Sequence, residues 1–231
     1  MDRPYTTLFL LISVDGKIST GDTDLMDTDG DYKKIDGVKE GNKQYYDLEQ
    51  ETDLHSLNSG RVFEKIGMNE KNDEPAKTPV SFIVIDSKPH LNKNGTTYLA
   101  KKSKTLYIIT TNPKHPAFEL KKDFPNIEIL KYEEKIDLAD ALRKLKKDYG
   151  IERITIQTGG TMNASWVREG LIDRLLLIVA PAMVGGKDTP TLMDGESLHS
   201  PDELFKIKAL ELVQVKPLEN SYLLLEYNVK N

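Results

Sequence analysis

The stretch that most constrains this chain is residues 154–163. Ile154, Thr155 and Ile156 suit a buried strand. Gly159 and Gly160 interrupt it, and the residues from Thr161 onward suit a short helix that Gly170 ends. The first N–H groups of such a helix have no partner within it. Together with the helix dipole they favour an anion. A glycine there lets a pyrophosphate approach the backbone. A side chain at Gly160 is therefore expected to intrude on the phosphate and to strain a positive φ. A tight structural turn would satisfy the same pattern. The run is not G-x-G-x-x-G, so a Rossmann fold is not supported.

Around it, apolar runs at residues 7–14, 80–85, 105–110, 127–130, 151–157 and 172–181 read as strands. Residues 205–215 and 222–229 alternate as a terminal antiparallel hairpin. A helix is predicted over residues 44–57. A second starts after Asp137 as N-cap and ends at Gly150. Residues 21–41 read as a loop. Strands alternating with helices argue for an α/β sheet with parallel pairs, made mixed by the hairpin. At 231 residues, one domain spanning 1–231 is expected.

The absence of cysteine excludes disulfides, thiolate metal sites and cysteine nucleophiles. A net charge of −5 without a basic face argues against nucleic acid. No apolar run is long enough to span a bilayer, and the first residues do not read as a signal peptide, so a cytoplasmic location is expected. The acidic loop 22–31 fails the EF-hand register at both ends, with Leu25 first and Asp36 last when Gly30 is sixth. His55, His90, His115 and His199 lack zinc-binding spacing, and no metal is expected. Neither Ser13 nor Ser165 has a G-x-S-x-G context. Asp15 in Asp15-Gly16 reads as a turn residue with a positional role. Trp166 reads as packing.

Two sets of motifs carry a resemblance. Gly60-Arg61-Val62-Phe63-Glu64-Lys65-Ile66-Gly67 is similar to a segment of the dihydrofolate reductases, and Gly159-Gly160 to their strand–Gly-Gly–helix. Arg3-Pro4-Tyr5, Ser13-Val14-Asp15-Gly16-Lys17, Gly170-Leu171-Ile172-Asp173, Ala180-Pro181 and Gly185-Gly186 resemble the blocks of the riboflavin-biosynthesis reductases, in order along essentially the whole chain.

The resemblance implies a dihydrofolate-reductase-like fold, a mixed, mostly parallel sheet flanked by helices. It implies NADPH as cofactor, with Arg61 and Ser87 at the 2′-phosphate, Gly159, Gly160, Thr161, Met162 and Asn163 at the pyrophosphate, and Leu11, Ile12 and Ser13 by the nicotinamide. Thr23, Glu49 and Gln157 fall on the substrate side. There Gln157 replaces a glutamate of the family, and Glu49 lies near an arginine. The expected activity is hydride transfer to a pyrimidine, pteridine or flavin-like heterocycle. The substrate-side changes lead to the expectation that a phosphorylated riboflavin precursor is turned over poorly. The alternatives are true riboflavin-pathway activity and a cofactor-holding protein without turnover. Family members are commonly dimers, so a homodimer is implied. No residue is singled out as proton donor.

Overall fold

A computed structural model describes residues 1–88 and 90–231. In chain order the elements are β1 (Tyr5–Ser13), α1 (Thr28–Asp31), α2 (Lys43–Glu49), β2 (His55–Ser59), α3 (Gly60–Lys65), β3 (Ser81–Ile85), α4 (Lys93–Lys102), β4 (Leu106–Thr110), α5 (Ala117–Leu120), β5 (Ile127–Lys131), α6 (Leu138–Tyr149), β6 (Arg153–Ile156), α7 (Gly160–Arg168), β7 (Arg174–Ala180), β8 (Ala209–Pro217) and β9 (Leu223–Lys230). They gather into two compact units. One comprises residues 1–4 and 53–158, the other residues 5–52 and 159–231.

The first unit holds strands in the order β5-β4-β3-β2-β6. All its pairs are parallel. Parallel strands need covering on both faces and are rich in Val, Ile and Leu, and β4 is buried at all five positions. Its core joins Phe63, Val84, Leu99, Leu106, Ile108 and Leu120 among others. Helix α6 adds the buried stripe Ala141, Leu142 and Leu145. Asp137 caps that helix by accepting the Asp140 N–H at 2.8 Å, and Gly150 ends it in the left-handed region.

The second unit pairs β1 with β7 in parallel, then runs β7-β9-β8 antiparallel. The fold is thus mixed and mostly parallel, as the strand–helix alternation and terminal hairpin predict. Its core is aromatic. Phe9 stacks on Tyr45 with ring centroids 5.1 Å apart, and the buried Tyr222 donates to the Val38 carbonyl at 2.8 Å. Trp166 is wholly buried, in line with its reading as packing.

The structure departs from the expectations in three places. Residues 44–57 are not one helix: α2 stops at Glu49 and residues 55–59 form β2. Residues 21–41 contain α1 and a 3-10 turn at Tyr32–Lys34 rather than loop throughout, with Asp27 capping α1 through the Asp29 N–H at 2.9 Å. The last hairpin starts later than residue 205, because Pro201–Lys206 forms a 3-10 helix and β8 begins at Ala209. Among the described residues no helix is long and apolar enough to cross a membrane.

Candidate active site

In the second unit, two of the sequence motifs meet on one segment. Helix α7 starts at Gly160 with Gly159 as its N-cap in extended geometry and no side-chain cap. The Met162 and Asn163 N–H groups turn back to the Gly159 carbonyl at 2.9 and 3.0 Å. A Cβ built on Gly159 would meet nothing within 4 Å. At Gly160 it would collide with the Asp194 carboxylate and the Thr191 carbonyl. The expectation for Gly160 is therefore corrected. Its missing side chain makes room for the chain's own 191–194 loop, and its φ is not positive. The open approach lies at Gly159.

Asp194 holds that loop by accepting from Thr191 N at 3.1 Å and Thr191 Oγ1 at 2.7 Å, and its own N–H reaches the Gly160 carbonyl at 3.0 Å. Asn163 is fully buried and donates its amide to the Leu192 carbonyl at 2.9 Å. Its side chain serves the loop. Thr161 is exposed and Met162 half-buried beside the helix start.

The same segment, followed backwards, reaches the end of β1. Leu192 N donates to the Gly16 carbonyl at 2.9 Å and Ile18 N to the Pro190 carbonyl at 3.0 Å. Lys17 is buried, its ammonium donating to the carbonyls of Gly186 and Thr189 at 2.7 and 2.9 Å. Asp15 accepts from the backbone N–H groups of Val184 and Gly185 at 3.1 and 2.6 Å. It also accepts the Ser13 hydroxyl at 2.5 Å. That hydroxyl bond, with the two backbone donors, draws the Asp15 carboxyl down to about 2. Asp15 is thus ionised at neutral pH and acts positionally. Ser13 also accepts from Lys17 N at 2.9 Å, so its hydroxyl is occupied on both sides. Leu11 and Ile12 are buried in β1 beside Ile178 and Val179 of β7.

Thr23 is exposed, its carbonyl accepting from Met26 N at 3.1 Å. Glu49 is half-buried as the last residue of α2. In the acidic loop, Asp31 is drawn down to about 2 by the Thr20 hydroxyl and then by Lys34. It is no proton source near neutrality.

The first unit places its candidates at the carboxyl ends of parallel strands. β2 ends at Ser59, whose hydroxyl caps α3 by accepting Val62 N at 3.3 Å, so Arg61 stands exposed in the first turn of a helix. Gly60 is required where it is, since a Cβ would collide with the Asp86 carboxyl. Asp86 is fully buried and accepts Leu91 N at 3.0 Å. It also takes His115 Nε2 at 3.2 Å and His90 Nδ1 at 3.1 Å. His115 Nδ1 accepts Ala117 N at 3.1 Å, so its proton sits on Nε2, toward Asp86. Ser87 follows. Its oxygen accepts Thr111 N at 3.2 Å, which leaves the hydroxyl proton to donate. Gln157 lies just past β6, with its N–H on the Leu57 carbonyl at 2.9 Å. Ser56 donates to its Oε1 at 3.2 Å and accepts from Asn58 Nδ2 at 3.2 Å. The relay fixes the amide through its Oε1.

Sequence reasoning missed Asp86 and Asp194. The one available signal was each aspartate's position beside a strand end or a glycine-rich turn.

Comparison with known proteins bears on what this arrangement serves. Residues 4–224 match the model of the RibD C-terminal domain. The 2,5-diamino-6-ribosylamino-4(3H)-pyrimidinone 5′-phosphate reductase of Methanothermobacter thermautotrophicus is 29% identical over 238 residues, covering 99% of both chains. The enzyme of the same name from Archaeoglobus fulgidus is 26% identical, over 90% of this chain and 94% of that one. Among solved structures, Acinetobacter baumannii RibD superposes over 100% of this chain with a TM-score of 0.71 at 16% identity. The chain spans 59% of that protein's length. A dihydrofolate reductase from Enterococcus faecalis superposes with a TM-score of 0.51 at 13% identity, over 98% of this chain and 97% of that one. These two likenesses show the dihydrofolate-reductase-like fold.

Proposed function

The chain belongs to the RibD C-terminal domain family, and from that premise we propose that it is an NADPH-dependent reductase of 2,5-diamino-6-ribosylamino-4(3H)-pyrimidinone 5′-phosphate. It acts as one reductase domain of 231 residues, in the cytoplasm, as a homodimer. The observation that supports the substrate is the likeness, along 99% of both chains, to an enzyme of that name. It outweighs the two substrate-side departures, Gln157 and Glu49, which bear on how the pocket reads the substrate.

The chain's groups suit the cofactor. The uncapped start of α7, open at Gly159, suits an anion. Thr161 adds an exposed hydroxyl beside it. Arg61 offers a planar fork of donors and Ser87 a hydroxyl proton for a 2′-phosphate. Leu11, Ile12 and Ser13 supply a dry wall for the nicotinamide. When bound, NADPH supplies the hydride.

The residues of this chain bind, orient and exclude water. Gln157, steadied by Ser56 at Oε1, brings an amide to the heterocycle's edge where the family has a glutamate that could only accept. The ionised Asp15 keeps the 184–185 backbone in place and holds the Ser13 hydroxyl proton on its own carboxylate. Neither Asp15 nor Asp31 carries a proton to give at neutral pH, which sets both aside as sources of the proton that balances the hydride.

The test is NADPH consumption by the purified protein at equal concentrations of the phosphorylated intermediate and its dephosphorylated form. Turnover of roughly 1 s⁻¹ or more with a preference for the phosphorylated compound is expected. Preference for the dephosphorylated form would show that Glu49 and Gln157 have redirected the pocket. Cofactor binding without turnover of either would leave a cofactor-holding protein.

A further inference from the structure

Strand β8 is an uncovered edge. All nine of its residues are exposed, and it pairs only with β9 within its unit. Long exposed edges are normally blunted by proline or inward lysine, because their free N–H and C=O groups recruit other strands. Here Phe205, Ile207, Leu210, Leu212, Val213 and Val215 are all exposed within eleven residues. Such a concentration of apolar surface marks an interaction site.

Residues opposite each other in an antiparallel ladder share a face. Leu210, Leu212, Val215 and Pro217 lie opposite Val229, Tyr227, Leu225 and Leu223, which makes one face apolar. Glu211, Gln214 and Lys216 lie opposite Asn228, Glu226 and Leu224 on the other. The ladder slips between Leu212 and Gln214, so Val213 has no partner on β9. A bulge left in water would blunt the edge. This one also has an effect on symmetry. With Val213 outside the count, Gln214 becomes the midpoint, with Leu212 and Val215 one step away and Glu211 and Lys216 two steps away. Without the bulge, Glu211 and Lys216 would fall on opposite faces.

We propose that the β8 edge is the interface to a second copy of this chain, paired antiparallel about a twofold axis at Gln214. This deepens the homodimer reading above and rests on it. The register sets Glu211 opposite the second copy's Lys216 and Leu212 opposite the second copy's Val215, each twice by symmetry. Gln214 meets its own counterpart, an amide that both donates and accepts. Charge complementarity singles out a copy of this chain, since the edge carries its own counter-charges at matching distances from the axis. Among the described residues Glu211 pairs with Lys230 at 3.9 Å, both well exposed, a pair of little strength.

The experiment is sedimentation equilibrium on the full chain, wild type against Glu211→Lys, Lys216→Glu and the double reversal, with thermal melts to confirm folding. The wild type should be a dimer at micromolar concentration. Each single reversal should raise the dimer Kd about tenfold, as two attractive cross-strand pairs become repulsive, and the double reversal should restore it. A monomeric wild type would overturn the proposal together with the homodimer reading. A dimer indifferent to the single reversals, or not rescued by the double one, would overturn this interface and leave the homodimer reading standing.

Discussion

Asp194 occupies the position that a side chain on Gly160 would need, and the backbone N–H of Asp194 is bonded to the Gly160 carbonyl at 3.0 Å. The two neighbouring glycines at the start of α7 thus have separate jobs. Gly160 accommodates the protein, and Gly159 leaves space outside it.

Gly160→Ala is accordingly expected to lower the melting temperature, with a cost of about 1–3 kcal/mol from overpacking against Asp194 and Thr191. Gly159→Ala should melt close to wild type and yet bind NADPH more weakly. Paired melts and cofactor titrations check this. A normal melt for Gly160→Ala would show that the 191–194 loop yields without cost.

Arg61→Ala should weaken NADPH by about 1.5–3 kcal/mol, the range for a hydrogen bond to a charged group, and change NADH little. Fluorescence titration with both cofactors reads the difference. Equal losses would remove Arg61 from the 2′-phosphate.

Asp15 gives stability a pH dependence of known sign. Its folded value of about 2 lies below the ordinary 3.8. Its contribution is present above the ordinary value and is lost as pH falls through about 2. Asp15→Asn should therefore narrow the gap between stability at pH 5 and at pH 2 in denaturant melts. Asp31, drawn down in the same way, keeps part of the slope in the variant. An unchanged slope would mean that the Ser13, Val184 and Gly185 contacts to Asp15 do not persist in solution.

Ser56→Ala removes the hydrogen bond to Gln157 Oε1 and takes the Ser56 acceptor away from Asn58 Nδ2. The expected outcome is a several-fold rise in the substrate KM with NADPH affinity unchanged. Steady-state kinetics separates the two. A loss confined to NADPH would place Gln157 elsewhere.

What could be read in the sequence follows from where side-chain chemistry matches local geometry. The strands at β3, β4 and β7 announce themselves because buried parallel strands are continuous apolar runs. β2 did not, since four of its five residues are His, Ser, Asn and Ser. Their polarity is tolerated in burial because Ser56 accepts from Asn58 and donates to Gln157, the latter across 101 positions that no local pattern bridges. The role of Gly160 was misjudged for a similar reason. Its neighbour Asp194 is 34 positions along the chain, far outside any window of local reading. The hairpin edge was placed too early because Leu204, Phe205 and Ile207 are as apolar as a strand, although Pro201 starts a 3-10 turn there.

The 183–194 segment has almost no regular structure, and stretches of that kind are where related chains usually gain or lose residues freely. This one has little such freedom. Its two ends are fastened by carboxylates, Asp15 at Val184 and Gly185 and Asp194 at Thr191, while the buried Lys17 pins the middle at Gly186 and Thr189. A residue inserted anywhere but at 187–188 would release at least one of the three fastenings. Its length should therefore be as inflexible as that of a strand, and grafting a loop from another protein would succeed only between fastenings, at residues 187–188.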